Sequence, residues 1–162
     1  MFHAVLVAAT FLCALVAGLL FAFAVVVMPG IGRLDDGGFI RAFQAIDRVI
    51  QNNQPLFMSV WVGSVLTLIA ATVIGVFALS GADRLLIIVA VLLYLLGVQV
   101  PTFAINVPLN NQIQTLDPDS MNETTRRRAR EVFEPRWNKW NAIRTVSASV
   151  ASIALMLLLL SM

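Results

Sequence analysis

The sequence predicts an all-α fold: a four-helix transmembrane bundle flanked by an interfacial amphipathic helix and a second cytoplasmic helix. Three observations carry this. Mean hydropathy is +0.87, and only 12% of residues are charged, about half the share of an ordinary soluble domain. Four apolar runs are each long enough to cross a bilayer, for which about 20 helical residues suffice. Two long connections gather almost all the polar chemistry.

The first span is expected over residues 4–28. Met1-Phe2-His3 supplies no Lys or Arg, and the run is too long for a signal peptide, so a retained span is expected. Met28-Pro29-Gly30 and Gly32 then read as a helix stop and turn, since they form no phosphate-binding loop pattern. After Asp35-Asp36-Gly37-Gly38, the residues Phe39, Ala42, Phe43, Ile46, Val49 and Ile50 recur at helical spacing against Arg41, Arg48 and Gln51. This is the pattern of a helix lying in the interface and ending before Pro55. The second span is expected over 56–79 and the third over 85–105, joined by the short turn Ser80-Gly81-Ala82-Asp83-Arg84. Asn122-Glu123-Thr124-Thr125 starts a polar helix running towards Pro135, and the segment from Arg136 feeds the fourth span, over 143–160. The chain reads as one integral membrane domain, with no internal repeat or low-complexity tract.

Ten of the eleven Lys and Arg residues fall in or beside the two long connections, and Arg84 alone lies in the short turn. The positive-inside rule makes the long connections cytoplasmic and turns both termini outward, as in a protein of a bacterial-type inner membrane. The basic residues thus serve orientation, and no nucleic-acid partner is implied. The bilayer is the implied partner, and its lateral faces leave room for a homo-oligomer. Arg126-Arg127-Arg128 reads as a solvated or lipid-orienting cluster. The lone Cys13 sits in an apolar run and reads as a small core residue. Together with the single His3 it offers no ligand set for zinc, copper or iron, so neither a metal site nor a cofactor is expected.

Alternating topology places three polar segments on one membrane side: Gln51-Asn52-Asn53-Gln54-Pro55, Asn106-Val107-Pro108-Leu109-Asn110, and Arg136 through Arg144. Pro101 and Pro108 free backbone carbonyls near membrane depth, which amide side chains can satisfy. Asn106 and Asn110 therefore read either as caps on an irregular helix end or as groups that orient a polar ligand. Trp137, Trp140 and Arg144 lie three and four residues apart, with Asn141 nearby. They read as an interfacial aromatic belt with a snorkelling cation, or as an aromatic wall beside a fixed planar cation for a phenolate, enolate or carboxylate. Asp47 is the titratable group nearest these segments, and its plain role is to partner Arg48 or another cation. Asn53, Asn106, Asn110, Trp140, Asn141 and Arg144 are expected to converge.

The order of these features resembles the anthrone-oxygenase-like family of small four-span membrane proteins. The resemblance rests on Phe21-Ala22-Phe23-Ala24-Val25-Val26-Val27-Met28-Pro29-Gly30, Phe43-Gln44-Ala45-Ile46-Asp47, the Asn106-to-Asn110 segment, and Arg136-Trp137-Asn138-Lys139-Trp140-Asn141-Ala142-Ile143-Arg144-Thr145. Asp47 departs from the pattern, standing where the family more often carries Asn. The resemblance implies oxidation of a planar, acidic polyketide anthrone by molecular oxygen. In that reading Trp137 and Trp140 stack the rings, with Asn53 and Asn141 also at the substrate. Arg144, Asn106 and Asn110 hold the oxyanion, and Asp47 or a water takes the proton. The alternative is a non-catalytic membrane subunit or assembly factor whose polar cluster is a structural clasp. A solute transporter is less favoured, because four spans without a repeat or a charged mid-membrane residue build no path alone.

Overall fold

A computed structural model of residues 1–162 consists of five helices: α1 (Phe2–Ile31), α2 (Asp36–Gln51), α3 (Pro55–Ala78), α4 (Gly81–Gln114) and α5 (Glu123–Ser161). All but α2 are long and apolar enough to cross a membrane. Starts are marked by side-chain caps: Asp35 accepts from the Gly38 N–H at 2.7 Å, Gln54 from Phe57 at 2.6 Å and Asn122 from Thr125 at 2.9 Å. Gly37 and Gly38 consequently lie in the first turn of α2 instead of preceding it.

The second cytoplasmic helix expected from the sequence is not a separate element. It is the first half of α5, a single helix of 39 residues, about 58 Å long, running through Pro135 into the apolar span. The third span likewise extends past residue 105 to Gln114.

Three other prolines inside helices leave a regular mark. A proline ring collides with the carbonyl four residues earlier. For Pro29, Pro101 and Pro108 those carbonyls belong to Val25, Gly97 and Ala104, and each is the central residue of a π-helical turn: Phe23–Val27, Leu95–Gln99 and Thr102–Asn106. Each turn widens the helix by one residue, so the ring fits without breaking it. The sequence expectation that amide side chains would occupy the freed carbonyls is replaced by this backbone solution.

Around the bundle the neighbours run α3, α1, α5, α4. The α3–α4 seam closes the ring only along Gly81–Tyr94, near the short turn. The membrane core is built of Leu6, Leu68, Ile87, Tyr94, Val98, Leu155 and Leu158, together with Ala9, Ala71, Ala90, Ala148 and Ala151, whose small side chains let the backbones approach. Outward side chains such as Phe11, Phe77, Leu96 and Val146 are exposed and apolar, as in an integral membrane protein. A second core caps the Asn106 end, where Met28, Phe39, Ile40, Phe43, Leu109, Ile113, Phe133 and Trp137 pack together. Arg130 clasps this cap. It donates to Gly32 O (2.7 Å), Leu34 O (2.9 Å), Asp36 (3.2 Å) and Glu134 (2.7 Å), and lies 4.6 Å from the Phe39 ring centre.

The buried face of α2 is rotated from the apolar stripe read in the sequence. Phe39, Ile40, Phe43, Gln44 and Asp47 are buried, while Val49 is exposed. Polar burial is offset by hydrogen bonds: Gln44 Nε2 donates to the carbonyls of Ile113 (2.8 Å), in the last turn of α4, and of Leu116 (2.9 Å), just past its end.

Close approach of α4 to α5 sets a stability test. A Cβ on Gly97 would collide with the Ser147 hydroxyl and lie 2.6 Å from its Cβ. Gly97→Ala is expected to cost about 1–3 kcal/mol, read as a lower thermal midpoint in detergent, and Ser147→Gly in that background should recover part of the loss.

Candidate functional site

Between the two cores lies a cavity of about 260 Å³, lined by residues of all five helices and mostly apolar. Its aromatic walls come from Phe23, Phe43, Phe57, Trp61, Phe103 and Trp137. Trp137 anchors them, with ring centres 5.5 Å from Phe43 and 5.7 Å from Phe23. At roughly 300–1,000 Å³, ordinary small-molecule pockets are slightly larger, so the space suits a flat ring system more than a bulky ligand.

Two charged side chains line this cavity, one of each sign, and they are not paired to each other. Arg144 is 5% exposed. Its Nη1 donates to Thr102 Oγ1 at 3.1 Å, its Nη2 to Asn141 Oδ1 at 2.9 Å, and its Nε has no partner. Asn141 is itself fixed, donating to Leu20 O on α1 at 3.1 Å. The guanidinium carbon lies 5.6 Å from the Trp137 ring centre. Every hydrogen-bond partner of this cation is neutral, which leaves it with charge to offer. Asn106, 1% exposed, donates weakly to Trp137 O at 3.5 Å, and its Oδ1 is likewise without a partner.

Asp47, 3% exposed, is held by amides alone. Oδ1 accepts from Asn110 Nδ2 at 2.7 Å, and Oδ2 from Gln51 at 2.7 Å and Gln114 at 2.9 Å. Asn110 then accepts from the Trp137 indole at 2.8 Å, so one amide connects carboxylate and aromatic wall. The expected ion pair of Asp47 with Arg48 is absent; Arg48 points outward. No three His, Cys, Asp or Glu side chains converge anywhere in the chain.

Of the site residues expected from the sequence, the cavity brings together Asp47, Asn106, Asn110, Trp137, Asn141 and Arg144. It does not include Asn53 or Trp140. Asn53 is exposed in the α2–α3 turn with φ at 56°, where it reverses the chain. Trp140 is half-buried outside the cavity, because at 100° per residue it lies about 60° round α5 from Trp137, on the side away from Asn141. The sequence reading missed Thr102, the direct partner of Arg144, and Gln114, a donor to Asp47. A signal for both was present: Thr102, Asn106, Asn110 and Gln114 recur every fourth residue as a polar stripe along α4.

A helical protein with four helices able to span a membrane, enclosing an aromatic cavity that holds an uncompensated cation, is the class that fold and site define. Within that class the chain belongs to the anthrone oxygenase family, whose sequence model matches residues 49–154, about two-thirds of its length. The match includes Thr102, Asn106, Asn110, Trp137, Asn141 and Arg144 and begins two residues after Asp47. No curated protein and no solved structure matches the chain.

Asn110→Ala should strand two buried groups, the Trp137 indole N–H and Asp47 Oδ1. The expected loss is about 1–3 kcal/mol of stability, visible as a lower thermal midpoint together with a shift in Trp137 emission measured in a Trp61→Phe, Trp140→Phe background.

Proposed function

We propose that the protein is a membrane oxygenase acting on a planar phenolic carbonyl compound of the anthrone type. One observation carries the reading: Arg144 is a buried guanidinium with only neutral partners, facing an aromatic cavity of ring-system size. Such a group binds a delocalised oxyanion better than a neutral ketone, and stabilising charge that develops during reaction is what accelerates it. Family membership and the aromatic walls support the same substrate class.

The chemistry assigns each group a task. Trp137 and Phe43, packed edge to face, form one wall against the ring system, and Arg144 receives the carbonyl oxygen. Asp47 is the single carboxylate in the lining and takes a proton from the methylene carbon opposite that carbonyl. The resulting anion, its charge centred on the oxygen at Arg144, donates electrons to molecular oxygen, which adds at the deprotonated carbon. The hydroperoxide then loses water. One CH₂ and one O₂ become one C=O and one H₂O, so the substrate supplies all the reducing equivalents and no step calls for a metal or an organic cofactor. An apolar enclosure favours the sequence by keeping bulk water from the anion. The charge distribution along the chain supports placing this end of the bundle on the cytoplasmic side of a bacterial-type inner membrane.

A structural reading of the polar cluster draws on Asp47, two of whose three amide partners, Asn110 and Gln114, tie α2 to α4. Two variants separate the readings in detergent-purified protein, with oxygen consumption on 1,8-dihydroxyanthrone as the assay. Arg144→Lys keeps the charge but loses the planar fork. Turnover should fall about ten- to a hundredfold, matching the roughly 1.5–3 kcal/mol of a charge-assisted hydrogen bond, while the thermal midpoint stays within a few degrees. Asp47→Asn should reduce turnover by about a hundredfold or more while leaving affinity for the anthraquinone product within about threefold. Parent-like turnover in both variants would leave the clasp as the function of these residues.

A further inference from the structure

The α3–α4 hairpin is not closed along its length. Near the short turn the two helices pack directly, and further along they are bridged by Ser64 Oγ with Tyr94 Oη at 2.7 Å and by Trp61 Nε1 donating to Gln99 Oε1 at 3.1 Å. Beyond Trp61, towards Pro55, no hydrogen bond joins them, and α3 has no substantial packing against Leu95–Gln114. The helices diverge there. Phe57 and Met58 on α3 and Phe103 and Val107 on α4 border the gap, with Val62 next to the Trp61 bridge at its inner end. All five line the cavity, and Val62, Phe103 and Val107 are also exposed on the outer surface, at 45%, 64% and 37%. The same side chains therefore border the cavity and the lateral face of the bundle. At 1.5 Å per residue, this gap lies within about 11 Å of the start of α3, the depth at which amphipathic aromatic molecules collect in a leaflet.

We infer that the ligand enters sideways from the bilayer through this slot, and that the slot admits substrates carrying an alkyl chain, which remains in the lipid while the oxygenated ring system seats against Arg144. The inference rests on the proposed reading of the cavity as a site for planar acidic molecules. Two features argue for it. The rim is wholly apolar, so an aqueous ligand gains nothing by approaching there, whereas a membrane-dissolved one meets no polar barrier until Arg144. The cavity is also too small to enclose a ring system together with a long chain, so a chain is accommodated only through an opening to hydrocarbon.

The test uses the full chain in phosphatidylcholine proteoliposomes with 1,8-dihydroxyanthraquinone as probe, followed by quenching of tryptophan fluorescence. Cysteines placed at Met58 and Val107 are joined by a reducible thiol-specific cross-linker; the native Cys13 is fully buried and out of reach. Cross-linking should slow probe association at least tenfold, reduction should restore it, and the equilibrium affinity before linking should stay within about threefold of the parent. Unchanged association in the linked protein would overturn lateral entry. A decyl-substituted analogue, with its chain opposite the hydroxyl edge, should bind within about threefold of the probe at equal membrane mole fraction; rejection of the chain by an unlinked protein that binds the parent probe would also overturn it. Failure of the parent protein to bind the unsubstituted probe would instead overturn the reading of the cavity, and the portal with it.

Discussion

A guanidinium held within a membrane-crossing helix governs this structure. Burying an arginine costs several kcal/mol unless its donors are met, and no carboxylate is available to Arg144. The molecule answers with a relay of neutral acceptors: Thr102 from α4, and Asn141 one turn earlier on α5, itself tethered to Leu20 O on α1. Three helices must hold their relative rotation for that relay to exist. The cation thus specifies the packing around it more than it stabilises the fold, and it keeps part of its hydrogen-bonding capacity unspent.

The polar network around Asp47 works differently. There an anion is surrounded by amide donors, and the chain of contacts runs outward through Asn110 to the Trp137 indole. Placing the two charges in one cavity, on different helices and not against each other, keeps both from collapsing into an ion pair. A direct bridge would satisfy both groups and leave the site inert. Separate neutral scaffolds for each charge are the arrangement that keeps the interior responsive to a ligand.

Much of this was legible in the sequence. Hydropathy located four helices long and apolar enough to cross a membrane, and helical spacing along Trp137, Trp140 and Arg144, with Asn141 nearby, marked the stretch of α5 that meets the cavity, although Trp140 itself lies outside it. Asn106 and Asn110 were marked by their position at the end of an apolar run. What periodicity could not supply was rotation. A one-residue widening moves every later side chain about 100° round its helix, and two such turns lie in α4 alone, so the inward face there does not follow from an unbroken 3.6-residue repeat. Asn53 and Trp140 were grouped with the site because they share its membrane side, but membrane side fixes height, not azimuth. Buried Gln44 and Asp47 rotated α2 away from its most apolar orientation, because their hydrogen bonds outweigh the exposure of Val49.

The regular placement of proline after each wide turn has an evolutionary reading. A π turn is in effect a single-residue insertion absorbed inside a continuous helix, and such an insertion would ordinarily be lost again by deletion at little cost to the fold. Proline makes that reversal expensive, since the ordinary turn no longer accommodates the ring. Pro29, Pro101 and Pro108 therefore act as ratchets that fix the phase of α1 and α4. Among relatives, the spacing between proline and the polar residues beyond it should be held more strictly than the identity of the apolar residues in between.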